Sequence, residues 1–431
     1  MIGLKNHINK WINLCLVLFF IIWNGLSFAQ QRFPKPEFDS GYVQPHPTTP
    51  EPRALWLEYF DILILIIVLS LASWFVFKLR SRRSIMWLSV FTLAYFGFFR
   101  EGCICPIGSI QNVTLSLFQP EYAISLTVLA FFIIPLVVSL FFGRIFCAAA
   151  CPLGAIQDLL VSNPISLPPW ANKTFGLIPY LYLGLAVLFA ATGTDFLICR
   201  YDPFVGFFRL DASFIMVVLG ISFLLIGLFI ARPYCRFLCP YGVLLNWMSR
   251  FSKWHLTITP AECIDCKLCH DSCPFDAIEL PASPHQIGKT ETDTRRFITY
   301  ALLIPLLVIF GVYLGSKSHV LLSAAHPDVE LAELLISQPE VKNDPDNIDV
   351  QTFLASGKNM TELVEGAVEI RKKFHTGSAV LGGFLGLVLG FFLINQVIFQ
   401  ERKIYEPNKG NCYSCGRCMD YCPVGKEPML K

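Results

Sequence analysis

Two cysteine runs constrain this chain more than anything else in it. The first sets Cys263, Cys266, Cys269 and Cys273 ahead of Pro274; the second sets Cys412, Cys415, Cys418 and Cys422 ahead of Pro423. Both have the spacing C-x2-C-x2-C-x3-C-P, which in bacterial ferredoxins holds 4Fe–4S cubanes. Three closely spaced thiolates wrap one corner of a cubane, and the fourth cysteine ligates the other cluster. That rule groups Cys263, Cys266 and Cys269 with Cys422, and Cys412, Cys415 and Cys418 with Cys273. Structural zinc is the competing use, but zinc sites pair two C-x-x-C units across a longer gap and ask for no trailing proline. Two 4Fe–4S clusters are expected. About 140 residues separate the runs, most of them membrane-like, so the fold must bring distant segments back together.

Composition says where that fold lies. The chain is 54% hydrophobic and 15% charged, with mean hydropathy +0.54, against about 25% charged residues in soluble domains. It reads as an all-α polytopic membrane protein. A net charge of +2 says nothing about nucleic acid, and with no basic cluster interleaved with aromatics no nucleic-acid partner is expected. Eight cysteines in cluster motifs imply a reducing compartment around them.

Residues 1–29 have Lys5 and Lys10, an apolar run and the small residues Ser27 and Ala29, the pattern of a signal peptide or signal anchor. Proline-rich 30–57 reads as an extracytoplasmic segment, and 58–254 as a five-span membrane domain with spans near 60–77, 85–99, 123–142, 175–192 and 213–230. Lys78, Arg80, Arg82 and Arg83 place the first inner loop in the cytoplasm by the positive-inside rule. The first ferredoxin half (255–294), a sixth span (295–315), an acidic extracytoplasmic insertion (316–375), a seventh span (376–399) and the second ferredoxin half (400–431) follow. Gly377, Gly382, Gly383, Gly386 and Gly390 suit close helix packing in lipid. Seven spans put both cluster runs on one side, as shared ligation requires. The expected location is a bacterial inner membrane, with both runs facing the cytoplasm.

An internal repeat adds a second cysteine set. Arg144, Cys147, Cys151, Pro152 and Gly154 match Arg232, Cys235, Cys239, Pro240 and Gly242 at an offset of 88. The C-x3-C spacing would put both sulfurs on one helical face, with Cys151 and Cys239 capping new helices that start at proline. Amide donors at such an N-terminus favour thiolate. A third cluster, a zinc ion and a dithiol relay all remain open for these four. A looser outer copy runs Cys105-Pro-Ile-Gly108-Ser-Ile-Gln beside Cys151-Pro-Leu-Gly154-Ala-Ile-Gln, with Glu101 in place of the first cysteine and Cys103 added. For Cys103, Cys105 and Cys199 a disulfide is the default in an oxidising space, and a cofactor is the other reading.

The paired C-x3-C-P motifs beside a split two-cluster ferredoxin resemble the NosR/NapH family of membrane polyferredoxins, over roughly residues 60–280 and 376–425. The resemblance implies electron supply to extracytoplasmic reductases and carries functional weight to Cys147, Cys151, Cys235, Cys239 and the eight cluster cysteines. The Ser/Thr-Gly-Ala-Thr flavin-attachment motif of NosR-like proteins is missing, since Thr376, Gly377, Ser378 and Ala379 do not match it, so no covalent flavin is expected. NapH-like proteins are shorter and lack the 316–375 insertion. CcoG-like copper-reducing assembly proteins share the cysteine pairs but end in an immunoglobulin-like domain absent from this sequence.

These residues point to one-electron transfer between the quinone pool, or a cytoplasmic donor, and an extracytoplasmic reductase system, an activity that would make the chain a quinol dehydrogenase component. A redox-sensing or metalloenzyme-assembly role is the alternative. A bilayer core of about 30 Å is too wide for one electron hop, so another centre is required. Haem is not expected to supply it, because all eight histidines fall outside the spans. His319 and His326 are the histidines to consider for an outer metal. An ion pump would need ionisable groups within spans, where almost none occur.

Overall fold

The computed structural model describes residues 54–424 apart from 103–104, 163, 259–262, 282–289, 344–346, 397–401 and 403. The expected signal peptide, most of the proline-rich segment and Cys103 lie outside the described residues. The described residues are mostly helical, at 73%. Helices run in the order α1 (Leu55–Trp74), α2 (Arg82–Thr92), α3 (Pro106–Phe118), α4 (Leu126–Phe142), α5 (Pro152–Leu160), α6 (Pro169–Phe175), α7 (Ile178–Thr192), α8 (Leu197–Tyr201), α9 (Pro203–Arg209), α10 (Phe214–Gly227), α11 (Pro233–Phe237) and α12 (Pro240–Arg250). After the short α13 (Leu268–Asp271) come the long α14 (Thr290–Ser323), α15 (Pro327–Ser337), α16 (Ile348–Ala355), the long α17 (Met360–Asn395) and α18 (Arg417–Tyr421).

Among the described residues, four helical stretches are long and apolar enough to cross a membrane: Leu55–Leu79, Pro169–Thr192, Arg295–Ser323 and Met360–Asn395. A fifth forms if α9 and α10, bent by 106°, count as one broken span. The expected count of seven is not reached by this measure. Helix α4 has 17 residues, and the second expected span is an α-helix that widens into a π-helical stretch, Leu93–Phe99. The acidic insertion is also smaller than its composition implied. Helix α14 runs on to Ser323 and α17 begins at Met360, so both reach into residues 316–375.

That pair is locked by small residues. A Cβ on Gly382 would strike the backbone carbonyl of Gly311, one on Gly315 that of Ser378, and one on Gly386 that of Leu307. Backbone meets backbone, which only glycine permits.

Prolines shape the central bundle. Pro106, Pro152, Pro203 and Pro240 each open a helix at its first position, so the preceding residues, Cys105, Cys151, Asp202 and Cys239, become N-caps in extended conformation. This corrects the single-face reading of the C-x3-C pairs. Cys147 sits in a π-helical turn, Phe146–Ala150, that stops before the cap at Cys151; Cys235 sits in the separate five-residue α11. One ion pair is buried near the start of α1, where Asp61 receives Arg100 at 2.9 Å and the Tyr95 hydroxyl at 2.7 Å.

Candidate functional site

The two cysteine runs meet. Strand β1 (Ile278–Glu279) pairs antiparallel with β2 (Glu406–Pro407), Ile278 opposite Pro407 and Glu279 opposite Glu406. Arg402 pairs with Glu279, the Asn408 amide nitrogen donates to the Glu279 carboxylate at 2.5 Å, and the Asn408 backbone N–H donates to Ala277 O at 2.7 Å. Within each run the residues on either side of the second cysteine are left-handed: Asp265 and Lys267 around Cys266, Ser414 and Gly416 around Cys415. Such turns point successive N–H groups inward, as in anion-binding nests. Ser414 N donates to Cys412 Sγ at 3.4 Å.

The result is two thiol-lined voids. One is lined by Cys263, Cys266, Cys269 and Cys422 with Ile258, Ile264 and Tyr405. The other is lined by Cys273, Cys412, Cys415 and Cys418 with Leu256, Phe275 and Tyr413. The fold thus gathers the two groups of four that the ferredoxin rule names. No group of three or more His, Cys, Asp or Glu among the described residues is arranged to hold a single metal ion. Four sulfurs bound to one zinc at about 2.3 Å must converge; these line a space in each quartet. Burial pushes the Cys269 thiol up to about 11 and the Cys412 thiol up to about 12, and raises Cys273 as well. Without metal these thiols keep their protons, so binding iron must displace them.

The C-x3-C-P cysteines form a separate cluster beside the second void. Cys147, Cys151 and Cys239 are buried, and Cys235 lies within electrostatic reach of Cys151 and Cys147. Cys239 Sγ accepts the N–H of Gly242 at 3.3 Å, as an N-cap should. The repeat arginines cross over. Arg144 of the first copy packs on Gly242 of the second, and Arg232 of the second packs on Gly154 of the first. Arg232 is fully buried, forked onto Asp158 at 3.0 and 2.6 Å, with its third nitrogen on the Cys147 carbonyl. Arg144, 4% exposed, meets no carboxylate among the described residues; its nitrogens reach Gly410 O at 3.2 Å and Cys147 Sγ at 3.9 Å.

Tyr413 joins the two regions. It lines the second void, its hydroxyl donates to the Cys235 carbonyl at 3.2 Å, and its ring lies 4.2 Å from the Arg144 guanidinium and 5.5 Å from that of Arg232. The Phe275 ring is 4.6 Å from it. Sequence reading missed Tyr413, as it missed the bracing role of the two arginines, although both arginines stood in the repeat.

Cys105 and Cys199 are free thiols, so the expected disulfide does not join them. His326 Nδ1 caps α15 by accepting the N–H of Asp328, and His319 stacks edge-on with His375 at 4.9 Å. The fold therefore does not make His319 and His326 a shared ligand pair.

Two thiol quartets beside a bundle of apolar helices are the arrangement that 4Fe–4S clusters need, and comparison with known proteins agrees. A 4Fe–4S binding domain model matches residues 124–177 and 212–259, and a second model of the same description matches 256–279. YccM of Escherichia coli (strain K12), whose name describes an electron transport protein, is 30% identical over 189 residues, 39% of this chain and 52% of YccM. NirI of Paracoccus denitrificans is 30% identical over 32% of this chain and 22% of NirI. The regulatory protein NosR of Stutzerimonas stutzeri is 26% identical over 44% of this chain and 28% of NosR. The matched region thus spans about half of YccM and less of the others. No solved structure matches. Taken together, these matches show that the chain carries 4Fe–4S binding domain sequence and is similar to YccM, NirI and NosR over part of its length.

Proposed function

We propose that the chain is a bacterial inner-membrane electron carrier linking the quinone pool, or a cytoplasmic donor, to an extracytoplasmic reductase system. The observation that carries this reading is the contact chain from a thiol quartet through Tyr413 to the C-x3-C-P cysteines. Cys263, Cys266, Cys269 and Cys422 would hold one cubane; Cys412, Cys415, Cys418 and Cys273 would hold the other. Bound cubanes supply one-electron storage at these two positions. Tyr413 and Phe275 exclude water between the second quartet and Cys235, keeping the path short and dry.

A third centre at Cys147, Cys151, Cys235 and Cys239 is favoured by charge. Of the two buried guanidiniums, Arg232 has the Asp158 carboxylate and Arg144 meets none among the described residues; a buried unpaired charge costs several kcal/mol. Thiolates at Cys147 and Cys239, both within reach of Arg144, would supply the missing negative charge. The 4Fe–4S model that covers both segments is in keeping with this. Cytoplasmic placement of the ferredoxin lobe is supported by Arg80, from the basic loop after α1. It donates to the carbonyls of Thr257 and Ile258 at 3.0 and 2.5 Å, just ahead of the first run.

The test is anaerobic protein in nanodiscs, assayed for iron, acid-labile sulfide and cluster bleaching on addition of a soluble quinol. About eight irons per chain correspond to two cubanes, and about twelve to three. Fast bleaching supports a carrier. Its absence would refute the carrier reading and favour a sensing role, the kind of role to which the name of the NosR relatives refers.

A further inference from the structure

The cap at Cys105 and the cap at Cys151 are built on one frame. Six residues after each comes a fully buried glutamine, Gln111 and Gln157. Gln157 Oε1 accepts the N–H of Tyr234, the residue before Cys235, at 3.2 Å. Gln111 Oε1 accepts the N–H of Ile198, the residue before Cys199, at 3.0 Å, and that of Cys199 itself at 3.4 Å. Cys199 therefore holds the place relative to Cys105 that Cys235 holds relative to Cys151. In the first frame the other half of the amide is used: Gln157 Nε2 donates to Cys235 Sγ at 3.3 Å. In the second, Gln111 Nε2 is buried with no acceptor.

A buried amide N–H without a partner is costly, and its place on the side chain that holds the Cys199 backbone indicates what it is for. The Cys199 sulfur lies over the first turn of α3, 3.2 Å from where a Cβ on Gly108 would stand. The amides of Ile107 and Gly108 are directed at Cys105 Sγ in the same turn. The unpartnered Gln111 N–H stands next to Cys199, whose own backbone N–H the same side chain accepts, as Gln157 stands next to Cys235. Asp202, 4% exposed and held by Phe204 N and the Tyr234 hydroxyl, is within electrostatic reach of Cys105 and Cys199. A metal ion that displaced the two thiol protons would leave sulfur anions for the Gln111 donor to bind, and thiolates select a soft cation.

We propose that Cys105 and Cys199 form a second metal site, a two-thiolate clasp for a soft, low-coordinate cation such as a cuprous ion, with Gln111 donating to one sulfur. With no third ligand converging among the described residues, the four-ligand tetrahedron of a structural zinc site is not formed. Cys199, exposed at the surface, supplies the way in.

The test uses the full chain, cluster-loaded and anaerobic, with cuprous ion delivered from a chromophoric chelator as the probe. Wild type should take up one equivalent more than Cys199→Ser and Cys105→Ser, and X-ray absorption should show two sulfurs around that extra copper. Gln111→Leu should weaken uptake at this site about tenfold, the loss of one charge-assisted hydrogen bond, while Gln111→Glu should reverse the donor and weaken it further. Equal uptake by wild type and both serine variants would overturn the proposal, as would a Cys105–Cys199 disulfide in freshly isolated protein. Iron content and the reduced-cluster spectrum of each variant report folding. They also separate failure here from failure of the electron-carrier reading, on which this site does not depend.

Discussion

Removing one thiol from the first cysteine run should extinguish the metal centre of the second. The second void takes three thiols from its own run and Cys273 from the first; the first void takes Cys422 in return. Cys273→Ser should therefore lower iron by about four atoms per chain, one cubane. The cluster left behind should be the one that Cys412→Ser also leaves. Cys422→Ser should lose the same amount but leave the other cluster, the one that survives Cys263→Ser and dies with Cys412→Ser. Doubling within a quartet, as in Cys273→Ser with Cys412→Ser, should cost no more iron than either single change. Pairing Cys273→Ser with Cys422→Ser should cost about eight. A further centre at the C-x3-C-P cysteines adds a constant to every variant and leaves the differences untouched. The assay is iron and sulfide analysis with electron paramagnetic resonance of the dithionite-reduced protein in nanodiscs. If the Cys273→Ser spectrum matched that of Cys263→Ser, each run would be ligating its own cluster, and the exchange of ligands would be refuted.

Three other outcomes follow from the geometry. Gly382→Val drives a side chain into the Gly311 carbonyl and should destabilise the α14–α17 pair by about 1–3 kcal/mol or more, lowering the temperature of detergent-induced aggregation; Gly366→Ala, in open space, should not lower it. Asp158→Asn strips the fully buried Arg232 of its carboxylate and should cost about 3–5 kcal/mol, read as earlier thermal cluster loss. Replacing both residues with apolar ones should recover most of that, and a double variant as weak as the single would argue against the pair. The cluster-free ferredoxin lobe should open in alkali. Burial holds Cys269 and Cys412 at about 11 and about 12, above about 8.5 in an unfolded chain. Their contribution is then complete below about pH 8.5 and is lost as pH rises through the folded values. Near-ultraviolet circular dichroism of stripped protein should show this, and an alkaline transition unchanged by Cys269→Ala with Cys412→Ala would contradict it.

The cysteine groupings could be read from the sequence because cubane geometry dictates ligand spacing, whatever lies between the runs. The placing of the C-x3-C pairs on one helical face failed for a local reason. Proline pushes the residue before it out of helical conformation, so Cys151 and Cys239 became caps and their partners fell in other elements. The insertion was overdrawn because hydropathy marks where lipid contact ends, whereas α14 and α17 run on past that point as a packed pair. Tyr413 carried no signal of its own. The glutamines did: Gln111 and Gln157 end the two matching Cys-Pro-x-Gly-x-Ile-Gln segments, and a repeat that keeps a buried amide at the same step keeps it for a reason.

The antiparallel bridge from Ile278 to Pro407 has a bearing on biogenesis. A ribosome translating this protein finishes half a ferredoxin, then spends well over a hundred codons threading α14 through α17 before the complementary half emerges. Until then Cys263, Cys266, Cys269 and Cys273 are an open cup with no lid, and iron delivered early has nowhere stable to stay. Metal loading thereby becomes the last act of synthesis, reserved for molecules whose hydrophobic helices have already threaded correctly.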